Sequence, residues 1–294
     1  MLLIWAVNAP VLGSIDPKDI IQIKPTKLPA KIEAKLPPSF KDLTVEYKCS
    51  GINNDSVELS DMKPFTSYSC TGDIKMNDVS IIQTLPPVQF NIDCDFTVNN
   101  LQTSSTSTSI KLNWETMSDK CQDVLNKLDE LHYHCSCQQD ERGDGRYVTI
   151  EEKMINHHEG RMCTITRGVK PFRDYSCYVH YIYTGQRPFG ESTVTGKTKS
   201  GKPELPHNVV VTVPENNKIQ VTCSLKDIDF NGPDRKFIAQ LQGDAGSSKK
   251  DKTCRFEFEN LSYSTSYTVE VFTSNKDFTS EPVRRQADTR LTSI

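Results

Sequence analysis

Apolar residues fall on every second position in a series of short runs. Ile110, Leu112 and Trp114 alternate with Lys111 and Asn113, and Val209, Val211 and Val213 keep the same period. Ile219, Val221 and Cys223 continue it, followed by Phe237, Ala239 and Leu241, then Cys254, Phe256 and Phe258, then Tyr267, Val269 and Val271. A period of two places each set on one face of a strand, so every run predicts a half-buried β-strand. One stretch departs from this pattern. From Lys120 to His132, the residues Val124, Leu125, Leu128 and Leu131 have helical spacing, which predicts a helical insertion between two strands.

A longer period is superimposed on the short one. Met62-Lys63-Pro64-Phe65-Thr66-Ser67-Tyr68-Ser69-Cys70 recurs as Val169-Lys170-Pro171-Phe172-Arg173-Asp174-Tyr175-Ser176-Cys177 and, more loosely, as Leu261-Ser262-Tyr263-Ser264-Thr265-Ser266-Tyr267-Thr268-Val269. In each copy an apolar residue precedes a tyrosine by six positions, and the copies are about one hundred residues apart, the length of one immunoglobulin-like sandwich. Such a tyrosine, at the start of strand F, buries its ring and returns its hydroxyl to the backbone upstream. Tyr68, Tyr175 and Tyr267 are therefore expected tyrosine corners, and the chain is expected to be all-β, made of tandem fibronectin type III (immunoglobulin-like) sandwiches. Trp114 stands where such a sandwich keeps its strand B tryptophan, with Cys223 in the equivalent place further on.

Proline-rich punctuation at Leu85-Pro86-Pro87 and from Ser200 to Pro206 separates the repeats. The expected divisions are a candidate signal segment over 1–14, a Pro-rich stalk or degraded strands over 15–40, and a partial, divergent fibronectin type III-like domain over 41–87. A cysteine-rich fibronectin type III domain over 88–200 and a further one over 204–291 complete them. Residues 1–14 open apolar and reach Gly13 and Ser14 but lack a basic start, which fits either a shortened signal peptide or an incomplete chain start. Outside them no apolar run approaches the ~20 residues that span a bilayer, so no membrane segment is expected within the chain.

Ten cysteines point to an oxidising compartment and disulfides. Zinc-finger spacing is absent, and Cys135 and Cys137 alternate as on a strand. Tyr47-Lys48-Cys49 and Tyr133-His134-Cys135 look like equivalent strand C positions, with Cys70 and Cys177 equivalent on strand F. The repeat thus predicts Cys49–Cys70 and Cys135–Cys177. Cys223 pairs with Cys254 as the remaining two of the last repeat, Cys94 with Cys121, and Cys137 with Cys163 by remainder. The sequons Asn54-Asp55-Ser56 and Asn260-Leu261-Ser262 are candidate glycosylation sites in such a compartment.

A net charge of -3, from 35 basic and 38 acidic side chains, offers no excess to attract nucleic acid. Phosphate-cradling, metalloprotease, serine-hydrolase and tyrosine-phosphatase motifs are all missing, so no catalytic residue, metal or cofactor is expected. His157-His158-Glu159 is the one dense titratable cluster. Two imidazoles there could bind a metal, but no third ligand is visible, so it reads as a solvated turn. The segment 244–253 reads as an exposed hairpin.

The stretch Asp229-Phe230-Asn231-Gly232-Pro233, with Phe237, Cys254-Arg255-Phe256 and Leu261 to Thr268, resembles the membrane-proximal type III domain of the leukocyte common antigen (receptor-type tyrosine phosphatase C) family. Cys94, Leu112-Asn113-Trp114, Cys121, Cys135 and Tyr175-Ser176-Cys177 are similar to its preceding cysteine-rich domains. The resemblance covers residues 85 to 290 and implies a rigid, glycosylated leukocyte ectodomain, on the extracellular face of the plasma membrane or secreted. Its partners would be extracellular proteins or lectins, and a cytoplasmic phosphatase would set antigen-receptor signalling thresholds. The chain departs from the family in having no long Ser/Thr-rich region, few sequons and no phosphatase domains. The alternative reading is a cytokine-receptor-like extracellular ligand-binding module. A Trp-Ser-x-Trp-Ser-like element would favour it, and none lies near Tyr267.

Overall fold

The computed structural model describes residues 15–40, 42–77, 80–140, 145–186, 189–242 and 247–291. The candidate signal segment lies outside these residues, as does part of the expected 244–253 hairpin. Strands and short 3-10 turns make up its regular structure. No helix among the described residues is long and apolar enough to cross a membrane. The chain divides into two compact units, one of Met1–Thr97, Thr116–Leu131 and Asn156–His158, the other of Val98–Glu115, His132–Ile155 and Glu159–Ile294.

In the first unit, the strands Ser56–Val57, Leu43–Ser50, Ser67–Met76 and Ser80–Thr84 lie side by side, and Val88–Asn91 also pairs with Ser67–Met76. The Pro-rich segment before them forms a two-stranded pair, Ile21–Ile23 with Glu33–Lys35. Its Ile15 and Ile20 pack with Leu43, Ile74 and Leu85 in a small core, which ties the segment down by apolar burial.

Among the described residues, four further sheets lie wholly or mainly in the second unit. Met162–Ile165, Ile110–Met117 and Thr97–Ser105 form one, and Tyr147–Asn156, Leu131–Asp140, Asp174–Tyr183 and Phe189–Lys197 form the next. The same three-and-four arrangement follows, with His207–Glu215, Lys218–Ser224 and Arg255–Phe258, then Ser248–Asp251, Lys236–Gln242, Ser266–Ser274 and Val283–Asp288. The alternating residues point inward as their period requires. Leu112 and Tyr133 are fully buried, and Trp114 meets Tyr133 edge-on with ring centroids 5.2 Å apart. Ile219, Val221, Ala239, Leu241, Val269 and Val271 fill the last core with Phe230 and Phe237. Each of these alternating strands is therefore a half-buried surface whose apolar face is covered by the facing sheet, whereas the edge strand Ser248–Asp251 is exposed along its length.

The expected helix from Lys120 to His132 is instead a six-residue 3-10 segment, Gln122–Lys127. Its Val124 and Leu125 are buried, as are Leu128 and Leu131 beyond it. Cys121, at its start, is bonded to Cys94. The helical spacing reflects this packing, in a segment too short to nucleate an α-helix.

Candidate ligand-binding surface

The three repeats fold into the same local device. The amide of Lys63 donates to the Tyr68 hydroxyl at 2.8 Å, that of Lys170 to Tyr175 at 2.7 Å, and that of Ser262 to Tyr267 at 3.0 Å. Three residues before each tyrosine the backbone turns left-handed, at Phe65 (φ 56°), Phe172 (φ 52°) and Ser264 (φ 48°). None of the three is glycine, so each conformation carries a local cost. The hydroxyl bond and the buried ring hold it in place. Tyr175→Phe removes the acceptor and is expected to cost about 1–2 kcal/mol, because the Lys170 amide then loses its partner. Urea unfolding of the variant beside the native chain measures this.

All ten cysteines are bonded, and the pairs are Cys49–Cys70, Cys94–Cys121, Cys135–Cys163, Cys137–Cys177 and Cys223–Cys254. Two of the pairings expected from the sequence are thereby corrected, since Cys177 takes Cys137 and not Cys135, and Cys163 takes Cys135. The cause is the strand period. Cys135 and Cys137 are two residues apart on Leu131–Asp140 and point to the same inward face, so alternation cannot distinguish them. In the first unit Cys49 lies directly across from Cys70. Cys137 holds the corresponding place against Cys177, with the same 4.0 Å between Cα atoms. The Tyr-x-Cys match with Tyr47-Lys48-Cys49 is thus two residues out of step.

Arg173, two residues before a corner tyrosine, is buried beneath a cleft of about 830 Å³. Its guanidinium donates to the carbonyls of Pro171 (2.9 Å), Phe172 (3.3 Å) and Ile228 (2.6 Å). Removal from water lowers its pKa, with Tyr175 and Asp229 opposing that shift. The cleft walls include Tyr147, Phe172, Asp227, Ile228 and Arg235. Their charges are already matched, Arg235 to Asp227 at 2.6 Å and Lys197 to Asp174 at 3.7 Å, with the Lys197 ammonium 4.1 Å from the Phe172 ring centroid. A polar ligand could lodge here by displacing water and exchanging rim partners. Among the described residues that line it, nucleophile, base and oxyanion donors do not converge. Nothing in the sequence pattern marks Arg173 as special, because its partners are backbone carbonyls.

His157 and His158 lie in a 3-10 turn with Glu159. His157 is buried, and His158 Nε2 sits 2.8 Å from Asp129 Oδ1. The expected solvated turn is therefore half right, and the two rings, 5.9 Å apart and steeply inclined, do not act as a pair. Both sequon asparagines are exposed in turns with left-handed backbone, Asn54 and Asn260 each at φ 59°.

No family model matches the chain. Among curated proteins it is similar to the receptor-type tyrosine-protein phosphatase C of Rattus norvegicus, 20% identical over 264 residues, which cover 86% of this chain and 19% of the relative. The Homo sapiens protein of the same name is 30% identical over 122 residues, covering 40% and 9%, and the Mus musculus protein 22% over 238 residues, covering 80% and 17%. The chain thus spans less than a fifth of the length of these relatives. Among solved structures it is similar to the rat CD45 extracellular region, domains d3-d4, with 22% identity, 42% of this chain and 68% of that one covered, and a TM-score of 0.35. A two-domain fibronectin type III segment of chicken tenascin shows 16% identity, 65% and 99% coverage and a TM-score of 0.34. The chain is all-β and disulfide-bonded, and it is similar to part of receptor-type tyrosine-protein phosphatase C.

Proposed function

We propose that the chain is the binding and spacing part of a leukocyte receptor of the receptor-type tyrosine phosphatase C kind, held at the outer face of the plasma membrane. Its divisions would be the partial domain over 41–87, the cysteine-rich domain over 88–200 and the last domain over 204–291. In this reading the sandwiches hold extracellular protein or lectin partners at a fixed distance from the cell, glycans at Asn54 and Asn260 add bulk, and a cytoplasmic phosphatase on the same polypeptide tunes antigen-receptor signalling. The observation that carries the reading is the match to receptor-type tyrosine-protein phosphatase C along 86% of the chain, with every cysteine used in a bridge. Proline-stiffened junctions and cross-linked sandwiches make a spacer whose length is set by its fold.

The test is to anchor the chain on a cell through a generic membrane helix and form a close contact with a second membrane. The spacer reading expects depletion from the contact, reduced when residues 15–200 are deleted. Equal density inside and outside the contact would overturn it.

A further inference from the structure

The outer face of the four-stranded sheet in the second unit carries a row of side chains that neither the core nor the cleft uses. Across its strands in order, Glu152 stands on Tyr147–Asn156, His134 on Leu131–Asp140, His180 on Asp174–Tyr183 and Glu191 on Phe189–Lys197. The His134 and His180 rings have centroids 4.8 Å apart, at 39° to one another. Glu152 Oε2 lies 3.6 Å from His134 Nε2, and Glu191 is the cross-strand partner of His180.

The two imidazoles are fixed by the covalent framework behind them. Cys137 and Cys177 bridge the same two neighbouring strands on the core face, with Cα atoms 4.0 Å apart. Counting back three residues on one strand and forward three on its antiparallel neighbour leads to His134 and His180. An odd step transfers the pair from the core face to the outer face. A slip of the register would separate the rings, and the disulfide forbids that slip.

We propose that His134 and His180 chelate a zinc ion on the outer sheet face, with the Glu152 carboxylate as third ligand and solvent in the remaining position. A tetrahedral ion bound by imidazole nitrogens at ~2.0–2.1 Å needs those nitrogens about 3.3 Å apart, within reach of rings already stacked across two strands. The Glu152 side chain is 60% exposed and can swing without repacking. Glu191 adds a second negative charge beside the ion. No three such side chains are arranged to hold a metal among the described residues, so the carboxylate closes onto the ion as it binds. Imidazole ligands select zinc, copper and nickel over magnesium and calcium.

Titration calorimetry of the intact, oxidised chain with Zn2+ tests this. One saturable site is expected, with no heat from Mg2+ or Ca2+. His134→Gln and His180→Gln should each weaken it at least about tenfold, and Glu152→Gln by about tenfold, with His158→Gln leaving it unchanged. Undiminished zinc affinity in both single histidine variants would overturn the site, as would the absence of zinc binding. Paramagnetic Ni2+ gives a second readout that needs no substitution. It should broaden the ring resonances of His134 and His180 first, and broadening confined to His157 and His158 would place the ion elsewhere and overturn the assignment.

Discussion

Replacing Cys137 and Cys177 together by alanine is expected to lower the unfolding free energy by about 2–5 kcal/mol, a large part of what a single domain possesses. The bridge closes a segment with a sequence separation of 40, against 21 for Cys49–Cys70. Its removal therefore releases more freedom in the unfolded chain, on the chain-entropy account. Both cysteines are buried at 1% exposure or less, so the variant also loses packing at the centre of the sandwich. Guanidinium unfolding followed by tryptophan fluorescence reads the effect through Trp114, whose ring touches Tyr133 on the strand that carries Cys137. A midpoint equal to that of the native chain would show that the bridge is not part of the folded framework.

Gly232→Ala should destabilise by about 2–4 kcal/mol, although it adds only a methyl group. An ideal Cβ at position 232 would lie 2.6 Å from Asn275 Nδ2 and 2.7 Å from its Cγ. Asn275 cannot retreat cheaply. Its Nδ2 donates to Gly201 O at 2.9 Å and Phe230 O at 2.7 Å, and its Oδ1 accepts from the amides of Asp277 at 3.0 Å and Phe278 at 2.9 Å. Moving the amide leaves several buried groups unpaired, which outweighs the ~0.4–1 kcal/mol gained when glycine is removed from the unfolded chain. Adding Asn275→Ala relieves the collision, so the double variant should cost clearly less than the sum of the single ones. Additivity would mean that the two positions do not meet.

These two positions mark where the sequence was and was not legible. Alternation located the strands around Leu112, Val221, Ala239 and Val269 because one buried face imposes a period of two on whatever fills it. The tyrosine corners were legible because their recurrence at domain length needs only one residue type at a fixed offset. What failed was information carried by register. Cys135 and Cys137 share a face, so their partners depend on which residue lies opposite, and that is set by the whole ladder. Gly232 reads in sequence as the middle of an Asn-Gly-Pro turn, whereas its folded constraint is the amide of Asn275, more than forty residues onward. Arg173 left no trace because backbone carbonyls, which every residue has, hold its guanidinium. His134 and His180 are separated in sequence and become neighbours only when the strands Leu131–Asp140 and Asp174–Tyr183 pair in the sheet, beside the Cys137–Cys177 bridge.

The central claim is that the sandwiches of this chain are held by one set of five disulfides. Peptide mapping of the secreted protein under non-reducing conditions tests it most directly. The expected fragments join Cys49 to Cys70, Cys94 to Cys121, Cys135 to Cys163, Cys137 to Cys177 and Cys223 to Cys254. Free thiols, or a fragment joining Cys135 to Cys177, would contradict it.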